Sequence, residues 1–95
     1  MTAERVRMIR ERLQDALAVG HLEVEDESHL HAGHPGARDG RGHFRVLVVS
    51  EDFGELSPLQ RHRLVYDAMG RAMETDIHAL SIQAMTPAEY GGEDA

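Results

Sequence analysis

The chain has 95 residues, 41% hydrophobic and 28% charged, enough for one ordinary globular domain and too short for two. Seventeen acidic residues against ten basic ones give a formal net charge of −7, which disfavours non-specific binding to a phosphate backbone. Cysteine and tryptophan are absent, so a disulfide framework, a thiol nucleophile and a metal site built on the chain's own thiolates are all excluded.

No apolar run approaches the ~20 residues of a membrane span. The opening residues, MTAERVRMIRERL, lack the apolar stretch and small-residue cleavage site of a secretory signal. The expectation is a single domain over residues 1–95, cytoplasmic and without membrane contact.

Val6, Ile9, Leu13 and Leu17 recur at helical spacing and predict a helix over 3–18, with Thr2 as N-cap and Gly20 as the stop. In HLEVED, Leu22 and Val24 alternate with Glu23 and Glu25, the period of two of a half-buried strand. Residues 27–42 hold Pro35, four glycines and almost nothing to bury, so they read as a long loop of the kind that carries function or is disordered. HFRVLVVS, residues 43–50, is nearly continuously apolar at its centre, as a central strand should be. EDFGEL reads as a turn.

A second helix opens on Ser57 as N-cap, Pro58 at the first helical position and Gln60 closing a capping box. Its apolar stripe is Leu64, Val65, Ala68, Met69, Ala72 and Met73, with Gly70 marking a bend or a close contact. IHALSIQA, residues 77–84, reads as a third strand. Thr86, Pro87 and Glu89 repeat the capping device for a short last helix, and residues 91–95 form a frayed tail.

This order makes the first two strands an antiparallel pair. The second and third are joined through a helix and become parallel neighbours. The fold class is α+β: a three-stranded mixed sheet with helices packed on one face. If the second and third strands run side by side, His43 and His78 open them at the same end of the sheet. The loop bearing His29, His31 and His34 feeds into that end. Imidazole is a common metal ligand near neutral pH. The spacing H-x-H-x-x-H is nevertheless no established signature, and solvated loop histidines or a mononuclear zinc or copper site remain open on spacing. His62 sits at the edge of the helical stripe, where a packed structural role is expected. Arg61 and Arg63 beside it either pair with the many carboxylates or touch phosphate. No Gly-rich phosphate loop with Lys, no G-x-S-x-G and no paired carboxylates on a motif are present, so a stand-alone catalyst is not expected.

LEVEDES before the loop, HFRVLVVSEDFGELSPLQRHRLVYDAM after it and IHALSIQAMTPAEY at the end together resemble the BolA family, from about Ile9 to Tyr90. The resemblance implies a class II KH-like fold without the GXXG loop that true KH domains use to clamp nucleotides. It implies a monothiol glutaredoxin as partner and a glutathione-ligated [2Fe–2S] cluster shared with it, in iron–sulfur maturation or iron regulation. The family's ligand from the third strand matches His78, its loop ligand matches His31, and His43 matches an alternative just before the second strand. This chain resembles the branch with histidine in the loop. His29 and His34 are extra histidines that depart from the pattern and leave the second ligand undecided. Some members are described as DNA-binding regulators of morphology and stress response, for which the helix with Arg61, His62 and Arg63 is the natural candidate. Without its partner the chain is expected to be a monomer or a weak homodimer.

Overall fold

The computed structural model describes residues 2–27 and 42–91. In chain order these form α1 (Thr2–Ala16), β1 (Val19–Asp26), β2 (Gly42–Ser50), a 3-10 turn (Glu51–Phe53), α2 (Pro58–Met69), α3 (Ala72–Thr75), β3 (Ile77–Met85) and α4 (Pro87–Gly91). The strands are ordered β1-β2-β3, with β1 antiparallel and β3 parallel to β2. This is the expected α+β architecture with its three-stranded mixed sheet.

One sheet face makes the core. Leu22, Phe44, Val46, Val48 and Leu80 meet Ile9, Leu13 and Leu17 of α1 and Val65 and Met69 of α2, with Phe53, Ala72 and Ile77 closing the cluster. Spacing of four along α1 places its three side chains on one stripe, and alternation along β2 puts Phe44, Val46 and Val48 on one face. On the opposite face Glu23, Glu25, Arg45, Ser81 and Gln83 are exposed. There α4 reaches over one end, so the helices do not all pack on one face as expected: the Tyr90 ring stacks on that of His21, centroids 5.0 Å apart and planes 22° apart.

Ser50 is fully buried, and its hydroxyl accepts from the Asp52 amide at 3.0 Å, capping the 3-10 turn. The turn carries Phe53 into the core, so EDFGEL is more than a surface bend. Both predicted capping boxes form. Ser57 Oγ accepts from the Gln60 amide (3.2 Å) and Gln60 Oε1 from the Ser57 amide (2.9 Å). Thr86 Oγ1 accepts from the Glu89 amide (3.2 Å) and Glu89 Oε1 from the Thr86 amide (2.9 Å).

The stripe from Leu64 to Met73 is not one helix. α2 stops at Met69, Gly70 takes φ 56° and ψ −132°, and a separate turn, α3, carries Ala72 and Met73 back onto the core. Glycine reaches that conformation without the steric penalty of a Cβ. The break redirects the chain so that β3 can start beside β2. Among the described residues no helix is long and apolar enough to cross a membrane.

Candidate metal centre at the strand ends

β2 and β3 run parallel and in contact, so their first residues share one edge of the sheet. His43 and His78 lie there with ring centroids 5.0 Å apart and planes inclined by 50°. His78 is exposed and His43 half-buried. The register between the strands shifts here: Gly42 pairs with Ile77, but His43 pairs with Ala79. His78 is therefore the extra residue of a β-bulge, a device that re-aims a side chain at a sheet rim.

Backbone and charge hold this end in place. The Gly42 amide donates to the Asp76 carbonyl (3.0 Å) and the Glu27 amide to the His43 carbonyl (2.8 Å). Two carboxylates flanking these strand ends have cationic partners. Glu27 pairs with Arg45 at 3.0 Å, and Asp76 accepts from Arg5 Nε at 3.2 Å. The Thr75 hydroxyl, donating to Asp76 Oδ1 at 2.7 Å, holds the Asp76 carboxyl below its ordinary range, and Arg5 adds to the effect. Among the described residues no group of three or more His, Cys, Asp or Glu side chains is arranged to hold a metal ion. His31, like His29 and His34, lies outside the described residues.

The predicted nucleic-acid residues sit on α2 and are not equivalent. Arg61 is turned inward, its side chain only 14% exposed. Its Nε donates to the Leu56 carbonyl (3.1 Å), Nη1 to the Ala84 carbonyl (3.1 Å) and to Glu89 Oε1 (2.7 Å), and Nη2 to Glu89 Oε2 (3.2 Å). This bidentate pair ties α2, the end of β3 and α4 together. The hydrogen bond from Arg61, with that from the Thr86 amide, lowers the Glu89 carboxyl to about 2. Arg63 is exposed and lines a shallow depression of about 210 Å³ with Leu56, Gln60, Leu64 and Asp67. His62 is half-buried between them.

The sequence pattern did not reveal two of these ties. Glu89 reads as a capping residue and Arg61 as a surface cation, and their pairing across 28 positions has no local signal. The stack of His21 on Tyr90, with His21 Nε2 at 2.8 Å from Glu23 Oε2, also depends on the tertiary fold.

A family model described as BolA-like protein matches residues 13–89 of the chain. The chain belongs to the BolA family. BolA-like protein 1 of Homo sapiens is 50% identical over 82 residues, which cover 86% of this chain and 58% of that protein. The chain thus spans little more than half the length of such relatives. A protein of Haemophilus influenzae called DNA-binding transcriptional regulator BolA is 31% identical over 87 residues, covering 92% of this chain and 82% of that one. Among solved structures, the BolA domain of SufE1 from Arabidopsis thaliana has a TM-score of 0.79 at 45% identity, covering 90% of this chain and 94% of that chain.

Proposed function

We infer that the chain is a non-enzymatic adaptor that docks on a monothiol glutaredoxin and contributes imidazole to a [2Fe–2S] cluster held otherwise by the partner and glutathione. The observation that carries this reading is the pair of histidines, ring centroids 5.0 Å apart, at one end of the sheet in a chain with no cysteine, His78 exposed and His43 half-buried. The donor set fits a shared cluster. Two imidazoles and no thiolate leave the remaining positions to residues of the loop or to another molecule, which suits a thiol-bearing partner.

Each residue then has a task. His78, fixed at the start of β3, is the principal ligand, because a strand end restricts its side chain and preorganises the geometry. His31 from the loop is the second contributor, and His43, which touches His78, can take its place. Exchanging thiolate for neutral imidazole removes negative charge from an iron centre and raises its reduction potential. The imidazole must lose its proton to bind, so association weakens as pH falls through the range of histidine titration.

The test mixes the protein with cluster-loaded glutaredoxin and records visible circular dichroism. The expected result is a changed cluster spectrum with the wild-type chain. His78→Ala abolishes the change, while His31→Ala or His43→Ala weakens it without erasing it. Substituting His62 leaves it intact. A wild-type response from His78→Ala refutes the assignment.

A second reading, a DNA-binding regulator of morphology and stress response, draws on the name of the Haemophilus relative. On this chain it would rest on Arg63 and His62, because Arg61 can reach phosphate only by giving up Glu89 and two backbone carbonyls.

A further inference from the structure

The sheet has two outer strands, and they differ in how they resist pairing with another chain. β1 carries Glu23, Glu25 and Asp26, and Arg10 reaches from α1 to its Leu22 carbonyl at 3.5 Å. Charges and side-chain cover are the usual protection of an edge. β3 has none of it. Its sequence, IHALSIQAM, holds no charge and no proline, and its register with β2 runs unbroken from Ala79 to Met85.

The backbone hydrogen bonds fix which groups of β3 face outward. The Gly42 amide donates toward β3, to Asp76, while the His43 carbonyl accepts from Glu27, next to β1. Even-numbered residues of β2 therefore bond β3. In a parallel ladder such a residue bonds to the two residues flanking its partner. Phe44 is partnered by Leu80 and Val46 by Ile82, so Ala79, Ser81 and Gln83 bond β2, and Leu80, Ile82 and Ala84 turn their amides and carbonyls outward. Arg61, donating to the Ala84 carbonyl, occupies one of these outward groups. Among the described residues nothing hydrogen-bonds to the outward groups of Leu80 and Ile82.

We propose that this edge pairs, antiparallel, with the same edge of a second copy of the chain, about a two-fold axis passing beside Ser81. The strand is self-complementary in that register. Leu80 meets Ile82 of the second copy twice over, forming about four main-chain hydrogen bonds and extending the apolar layer on the core side. Ser81 meets Ser81, and Ala79 meets Gln83, small or neutral side chains on the open face. Ala84 stays with Arg61, which ends the seam there, and no charged side chain stands between Ala79 and Gln83. The same operation on β1, centred on Glu23, would set Glu23 opposite Glu23 and Leu22 opposite Val24, with like charges directly opposed. Two chains of net charge −7 repel at long range, so the uncharged strand is where they can approach, and added salt strengthens the dimer by screening.

Because the chain has no cysteine, a single introduced thiol reports the register. Ser81 faces its own copy in a non-hydrogen-bonded pair, where Cα atoms stand about 4.5 Å apart, inside the roughly 4.4–6.8 Å that a disulfide spans. Mild oxidation of Ser81→Cys should give a covalent dimer. Gln83→Cys should not cross-link to itself but should cross-link to Ala79→Cys when the two are mixed. In sedimentation velocity over a concentration series, Ser81→Lys and Ser81→Glu should each weaken association about fivefold, and their equimolar mixture should restore it. A monomer at every concentration and salt overturns the proposal, as does a dimer in which Gln83→Cys cross-links to itself as readily as Ser81→Cys.

Discussion

Replacing Gly70 by alanine distinguishes a continuous second helix from the broken one in the structure, because the two predict opposite signs. Inside a helix the change would stabilise by about 1 kcal/mol, since alanine is the better helix former. Gly70 instead lies at φ 56° and ψ −132°, just past the end of α2. Placing an L side chain in such a sparsely populated conformation costs about 1–3 kcal/mol. Reduced freedom of the unfolded chain returns about 0.4–1 kcal/mol. The added Cβ would stand 3.4 Å from Arg12 Nη1, the end of a flexible exposed side chain that can move aside, so contact adds little. The net is a loss of about 1–2 kcal/mol, which lowers the melting midpoint by about 5–15 °C in a chain of this size. Thermal unfolding followed by far-ultraviolet circular dichroism measures it. Gly20→Ala is the control, because its Cβ would make only ordinary van der Waals contact, 3.8 Å from the Val49 carbonyl. A midpoint for Gly70→Ala at or above that of the wild type refutes the argument.

Glu89, whose carboxyl sits at about 2 rather than its usual 4.5, contributes stability that is fully present above pH 4.5 and lost as pH falls toward 2. Glu89→Gln should therefore melt below the wild type at neutral pH, with the gap closing across that acid window in a pH series of melts. Glu55 occupies φ 67° on the exposed turn, so Glu55→Gly should stabilise by roughly 0.5 kcal/mol in chemical denaturation. If α2 meets duplex DNA, Arg63→Ala should reduce the salt slope of binding by about one unit with an unchanged melt. Arg61→Ala should lower the melt itself, and equal effects of the two on the slope with no loss of stability would contradict the inward role of Arg61.

Local chemistry made much of this fold legible in the sequence. The period-two alternation of HLEVED, the Val-rich centre of β2 and two capping boxes place most elements to within a few residues. A helix between two strands was enough to give the parallel pairing and so the meeting of His43 with His78. What escaped was set by distance or by backbone choice. The break at Gly70 could not be separated from a bend, because Ala72 and Met73 keep the helical spacing across it. The inward turn of Arg61 depends on Glu89, 28 positions away, and on a carbonyl of β3. The bulge at His78 leaves no mark in a strand whose residues suit either register. His31, the loop ligand suggested by family resemblance, lies outside the described residues.

That bulge also bears on how such a chain can change over time. In a regular strand, inserting or deleting one residue exchanges the buried and exposed sets, so a ligand at the rim and the hydrophobic layer would be bound to one alternation. Here the odd residue is His78 itself, and pairing resumes at Ala79 with Leu80 already directed into the core. The rim position is thereby uncoupled from the parity that builds the interior. Selection can act on the identity of residue 78 while the packing of β3 stays under separate constraint. An engineer who wanted a cysteine or an aspartate at this rim would inherit the same freedom.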